Sequence, residues 1–281
     1  MDVKFKFVPS KINNNPIINK SIFFMHIPKS GGTTIDRIFA KLSVILKNFD
    51  FERFKYNHDL KKKLSLSNNN YLKPKFYSGH LNYNFFDDLN NIFKCSLVRE
   101  PISRVVSHYK FMVYKLRQTP ENYTFKDFIN EEITKNRDNI ITRHFSGLLG
   151  QKKFITRKDF ESACINLNNF DSIYTFDKWD NFLSDLLSNF GLPSILYSNF
   201  QQHAYTFSFI PQENHIQVIR KYYKYDLELY SKILLLKNNF EFKTNDIYNK
   251  NICIVSPFLK TKNSLYTEEE VKRLFESKNE K

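Results

Sequence analysis

The stretch FMHIPKSGGTTIDRIF, Phe24 to Phe39, concentrates the residue types that hold an oxyanion. Gly31 and Gly32 stand side by side in a chain of 281 residues with only six glycines. Adjacent glycines let backbone N–H groups approach an anion with no side chain in the way. The apolar spacing after them predicts a helix, whose first N–H groups and dipole favour negative charge. Lys29 adds a cation, and Ser30, Thr33 and Thr34 add hydroxyl donors. A plain glycine turn between strand and helix is the structural alternative. The lysine precedes the glycines, whereas the G-x-x-x-x-G-K-[ST] loop of nucleoside triphosphatases puts it after them. No carboxylate follows a later strand in position for magnesium, so the loop reads as a phosphate-type site that needs no metal.

A second constellation is LVREPISRVVSHY, Leu97 to Tyr109. Arg99 ends an apolar run that reads as a buried strand, and ligands of open α/β sheets bind at such carboxyl ends. Its planar guanidinium suits a phosphate, and Ser107 on the following helix offers a hydroxyl. Arg104 reads as a further helper or as a surface partner of Glu100.

The elements that must position these residues follow from periodicity and punctuation. SIFFMHI (21–27) is a short apolar run bounded by turn residues, a buried strand. Ile35, Ile38, Phe39 and Leu42 then recur at helical intervals. KPKFYSGHL (73–81) reads as a strand ending at Gly79-His80, and NIFKCSLV (91–98) as another, followed by a helix over 102–116. Thr124 with Asp127 caps a helix over 125–135. A strand over 170–177 precedes a helix over 178–193, which carries Gly191 and Pro193 at its end. One or two helices cover 213–236, and a Thr267/Glu270 capping box opens a last one over 268–277. Alternating strands and helices predict an α/β fold: a P-loop-like three-layer domain with a central, mostly parallel sheet flanked by helices. The expected organisation is an N-terminal lead-in over 1–20, irregular or an edge strand, then a domain over 21–260 and a C-terminal tail over 261–281.

Composition narrows the classes. Hydrophobic residues at 41% can build a real core. The formal charge of +14 suits anionic partners. Lysine, asparagine, isoleucine and phenylalanine also run high together, so compositional bias explains the charge equally well. Lys61-Lys62-Lys63, the densest basic run, reads as a solvated helix face. Cys95, Cys164 and Cys253 are odd in number and far apart, which argues against a disulfide framework or a zinc site. No secretory h-region and no apolar run of about 18 residues is present. The expected home is the cytoplasm, free or peripheral to a membrane.

The two anion motifs together resemble the sulfotransferase superfamily. HIPKSGGTT is similar to its 5′-phosphosulfate loop, and VREPISRVVSHY to its 3′-phosphate motif. The resemblance is greatest to carbohydrate sulfotransferases of the heparan sulfate 2-O type and their bacterial relatives. SGHL (78–81), NIITRHFSG (139–147) and YDLELY (225–230) also resemble stretches of that group. Glu100 departs from the aspartate usual there. The resemblance implies 3′-phosphoadenosine 5′-phosphosulfate (PAPS) as sulfuryl donor, no metal, and a carbohydrate or other hydroxyl-bearing acceptor. It implies that Lys29 stabilises the bridging oxygen, helped by Ser30, Gly31, Gly32, Thr33 and Thr34. Arg99 and Ser107 would hold the 3′-phosphate, and His80 would be the base. Among the other histidines, His26 is expected to shape the loop, and His108 to point away from Ser107. Arg143 reads as a ligand contact or a structural residue. Trp179 reads as core on an amphipathic helix, not as a stacking partner for adenine. The competing classes are a P-loop nucleotide kinase, which predicts magnesium-dependent ATP turnover, and a non-catalytic basic protein binding nucleic acid or acidic glycan. In the sulfotransferase reading, nucleic acid is not a partner. The acceptor loops are expected within 47–73 and 110–150.

Overall fold

The computed structural model describes residues 5–12, 20–47, 49–54, 75–86, 92–198, 207–236, 249–255 and 264–279. Strands among them are Phe5–Val8 (β1), Ser21–Met25 (β2), Asp50–Phe54 (β3), Lys75–Gly79 (β4), Ile92–Val98 (β5), Ser172–Thr175 (β6), Ser194–Ser198 (β7) and Ile252–Val255 (β8). The helices are Gly32–Ile45 (α1), Pro101–Lys115 (α2), Phe125–Thr134 (α3), Ile140–Phe145 (α4), Arg157–Leu167 (α5), Trp179–Asn189 (α6), Glu213–Tyr222 (α7), Lys224–Leu234 (α8) and Glu268–Asn279 (α9).

β2 explains the architecture. Its SIFFM side chains are all buried. Ile22 and Phe24 enter one core cluster, while Phe23 and Met25 enter another. That alternation is the two-residue period of a strand covered on both faces. The first cluster takes Ile35, Ile38 and Phe39 of α1 and Phe182, Leu183 and Leu186 of α6. The second takes Phe145 of α4, Phe160 of α5 and Leu229 of α8. Each such side chain stabilises the fold by about 1.5–3 kcal/mol when fully buried. The result is the three-layer α/β arrangement expected from the alternating elements.

The main sheet runs β3-β4-β2-β5-β6 and is parallel throughout. After β2 the chain passes through α1 to the edge strand β3, returns through β4, and crosses to β5 on the other side. The direction of winding reverses around β2, so a crevice opens at the carboxyl ends of β2 and β5. A second sheet, β1-β7-β8, pairs β1 antiparallel with β7. The lead-in therefore contains an edge strand. β3, β7, β8, α4 and α5 have no counterpart among the sequence expectations. The basic 55–74 segment, including Lys61-Lys62-Lys63 and most of one expected acceptor loop, lies outside the described residues.

Candidate active site

The loop after β2 turns sharply into α1. Lys29 has φ 70° and Gly31 φ 86°, both in the left-handed region. Gly31 is the N-cap of α1. A Cβ there would lie 2.6 Å from Trp179 Cζ3 and 2.8 Å from Phe176 Cε2. A Cβ on Gly32 would lie 2.2 Å from His26 Cδ2. Close packing thus requires both glycines, and the left-handed backbone angle adds a second requirement at Gly31. Ser30 is buried, and its hydroxyl accepts from the Arg99 N–H at 3.2 Å, which ties the loop to the end of β5.

Lys29, Gly31, Thr34, Arg99 and Ser107 line one cleft of about 670 Å³. Ser30, Gly32 and Thr33 stand outside its lining. Ser103, Ser107 and Lys110 project from one face of α2 into it, at intervals of a helical turn. The far wall is aromatic: Phe176, Trp179 and Tyr197. Trp179 both packs in the core and faces the cleft, which corrects its expected role as core alone. Lys6 of β1 reaches the same cleft and lies 3.6 Å from Asp180 Oδ2, while the Tyr197 hydroxyl donates to Asp180 Oδ1 at 3.0 Å. Sequence reading missed Lys6 and the aromatic wall. Their adjacency comes from β1–β7 and β5–β6 pairing, which no local pattern signals.

Charge is concentrated at the loop. The Lys29 ammonium lies 4.3 Å from the centroid of the Phe111 ring. Burial, and then the neighbouring Arg99, lower its pKa to about 8. The Arg99 guanidinium lies 5.1 Å from the Phe176 centroid. Glu100 is the N-cap of α2, accepting from Ile102 N at 2.9 Å and Ser103 N at 2.7 Å. It therefore does not pair with Arg104, correcting that expectation. Arg104 turns inward, 1% exposed, with its guanidinium 5.9 Å from the Tyr223 centroid.

His80 follows β4 and is half-buried, outside the lining of the cleft. Its Nδ1 lies 2.8 Å from the His26 carbonyl, and a carbonyl only accepts. Nδ1 therefore carries the proton in the neutral ring, which leaves Nε2 with a free lone pair. Burial lowers the His80 pKa; the hydrogen bond to His26 opposes this and Arg53 adds to it. The His26 ring lies 4.8 Å from that of His80 and packs against Gly32, so it shapes the loop. Burial first, then His80, holds His26 well below the usual imidazole range. Lys29 contributes to the same shift, so Lys29 and His80 both act electrostatically on the His26 ring. Behind it, Asp36 accepts from the Ser78 hydroxyl and lies 3.0 Å from Arg53 Nε, joining α1 to β4 and β3. His108 points to Glu132 of α3, 3.3 Å away. His215 sits in the capping box of α7, and His58 and His203 lie outside the described residues.

Two of the stretches singled out in the sequence meet. Asp226 of α8 accepts from Ile141 N, Thr142 N and the Thr142 hydroxyl, capping α4. Arg143 is structural: its Nε donates to the Asp138 carbonyl at 2.7 Å, and a terminal nitrogen donates to Asp138 Oδ1 at 2.8 Å and to the Lys153 carbonyl at 3.0 Å. Among the described residues no cluster of three His, Cys, Asp or Glu side chains is arranged to hold a metal ion. No helix among them is long and apolar enough to cross a membrane.

The sequence profile described as "Sulfotransferase family" matches residues 18–232, from just before β2 to α8. The chain belongs to the sulfotransferase family. Its reaction is sulfuryl transfer. No curated protein matches the sequence. Among solved structures, a sulfotransferase from Alicyclobacillus acidocaldarius is 12% identical with a TM-score of 0.47, covering 79% of this chain and 98% of that one. Mouse sulfotransferase SULT7A1 complexed with PAP is 15% identical with a TM-score of 0.38, covering 81% and 70%. An uncharacterized protein from Eubacterium ventriosum is 8% identical with a TM-score of 0.33, covering 60% and 97%.

Proposed function

We propose that the chain transfers the sulfuryl group of PAPS to a hydroxyl of a carbohydrate, with His80 as base. The observation that carries this reading is one cleft lined by two separate anion-binding sets and an aromatic wall. Lys29, Thr34 and the first amides of α1 would take the 5′-phosphosulfate. Arg99 and Ser107 would take the 3′-phosphate, and Phe176 and Trp179 the adenine face. The cleft volume of about 670 Å³ suits a nucleotide-sized ligand. The carbohydrate acceptor rests on the resemblance to the 2-O type, carried by SGHL around His80.

The chemistry follows from charge and proton flow. The acceptor oxygen forms a bond to sulfur while the bond from sulfur to the 5′-phosphate oxygen breaks. The electron pair remains on that phosphate oxygen, and the Lys29 ammonium neutralises it. The acceptor proton passes to His80 Nε2, the free nitrogen of the Nδ1–H tautomer. Holding both reactants in line supplies the rest of the acceleration. The reading invokes no metal, because Lys29, Arg99 and the α1 amides supply the positive charge.

Calorimetric titration of 3′-phosphoadenosine 5′-phosphate (PAP) in magnesium-free buffer tests it. Wild type binds, and Arg99→Ala weakens binding at least tenfold, as loss of charge-assisted hydrogen bonds of about 1.5–3 kcal/mol requires. Absence of binding by wild type, or an unchanged affinity in Arg99→Ala, overturns it.

A further inference from the structure

We infer that His144 is a positioning residue for His80: its Nδ1–H clamps the Leu81 carbonyl, fixing the turn that carries the base. This rests on the reading of His80 as base.

The backbone on both sides of His80 is pinned. Before it, the Gly79 carbonyl accepts from His26 N at 2.8 Å. After it, the Leu81 carbonyl lies 2.7 Å from His144 Nδ1, which must donate because a carbonyl cannot. The next residue adds a second tie to the same helix end, with Asn82 Nδ2 donating to the Gly147 carbonyl at 2.7 Å. The His144 and His80 rings lie 6.5 Å apart between centroids, so the clamp acts beside the base itself. His144 is fully buried, and its Nε2 has no hydrogen-bond partner among the described residues. An unpaired buried nitrogen costs about 1–3 kcal/mol, so generic core packing does not account for a histidine here. Phenylalanine would fill the space without that cost.

The surroundings are built to hold this ring still. α4 has only six residues. Its N-terminus is capped by the Asp226 carboxylate, and its N-cap residue Asn139 binds Tyr225 N and Asp226 N through its side-chain oxygen. Arg143, one residue before His144, anchors the segments on either side through the Asp138 and Lys153 carbonyls. Burial holds the His144 pKa down to about 3, so the ring donates from Nδ1 without bringing a second positive charge beside His80.

Histidine ¹⁵N NMR tests the proposal without any acceptor. In wild type the neutral His80 ring, identified by its loss in His80→Ala, shows a protonated Nδ1 and a bare Nε2. His144→Asn puts an amide N–H near the Nδ1 position and retains that signature. His144→Gln puts it near the Nε2 position and loses the signature, as does His144→Phe. All three variants bind PAP within about twofold of wild type, since the nucleotide cleft is untouched. In transfer assays His144→Gln lowers kcat about 100-fold with an unchanged KM for PAPS, the usual scale for a base displaced by about 1 Å. A His80 tautomer unchanged in His144→Gln overturns the clamp, and so do equal effects of Asn and Gln. The Asn and Gln pair decides the matter even if His144→Phe does not fold. Full transfer activity in His80→Ala would instead sink the base assignment, a different result from a failed clamp.

Discussion

Raising the pH above 8 should weaken nucleotide binding through Lys29. Burial and Arg99 bring the pKa of its ammonium down from 10.5 to about 8 in the free protein. Only the protonated form can neutralise the 5′-phosphate, so Kd should scale as 1 + 10^(pH − 8). That is a rise of about twofold at pH 8 and about elevenfold at pH 9, the latter about 1.4 kcal/mol. Both phosphate monoesters of PAP, with second pKa values of about 6, are about nine-tenths doubly ionised at pH 7 and add little slope above it. Calorimetry of PAP at several pH values from 7 to 9.5, each in two buffers of different ionisation enthalpy, reads both the affinity and the proton taken up. Lys29→Arg keeps its charge across this range, so its Kd should stay flat whatever its absolute value. Stability moves the other way. Between pH 8 and 10.5 the unfolded chain holds more protons at this lysine than the folded one, so its contribution to stability rises with pH. Weaker binding at pH 9 therefore cannot be unfolding driven by Lys29. A Kd constant within twofold from pH 7 to 9, or the same slope in Lys29→Arg, refutes the reasoning.

Gly31→Ala forces a Cβ into a left-handed backbone at about 1–2 kcal/mol and against Trp179 and Phe176; thermal denaturation should show a Tm lower by several degrees, and calorimetry a loss of PAP binding. A variant with wild-type Tm and affinity would remove the close-packing account of the paired glycines. Trp179→Leu should weaken PAP by about 5- to 150-fold, the range for losing one base-stacking contact of about 1–3 kcal/mol; an unchanged Kd would separate the aromatic wall from the adenine. Transfer rate should hold level on acidification down to pH 6.5 and fall only below it, because burial lowers the pKa of His80 and its neutral form is the base. An acid limb above pH 6.5 would assign that limb to another group.

What could be read from the sequence was local. The loop and α1 were legible because apolar residues at 35, 38, 39 and 42 follow two glycines directly. Arg99 and Ser107 were legible because a strand, a proline and a helix fix their relation within one short segment. The parallel sheet followed from alternation of elements. Contacts that depend on strand neighbours far apart in sequence were not legible. Phe176 and Trp179 face Gly31 only because β6 lies beside β5. Lys6 reaches the cleft only because β1 pairs with β7, which sets Lys6 opposite Tyr197, 191 residues further along the chain. β3, with the sequence DFERF, and β8, with ICIV, are short, and the covering helices decide their burial. Of the two sequence readings of Arg104, a further anion-site helper or a partner of Glu100, the second fails because the α2 amides take the Glu100 carboxylate.

The most direct test is transfer itself. Incubate the chain with PAPS radiolabelled in the sulfuryl group and a panel of hydroxyl-bearing acceptors that includes heparosan, chondroitin, simple hexoses and 2-naphthol, in buffer containing EDTA. A PAPS-dependent carbohydrate sulfotransferase labels at least one saccharide, forms PAP in equal amount, and loses that labelling in Lys29→Met and His80→Ala. Labelling that survives both substitutions, or labelling of 2-naphthol alone, contradicts the proposed function, as does magnesium-dependent turnover of ATP with no sulfuryl transfer.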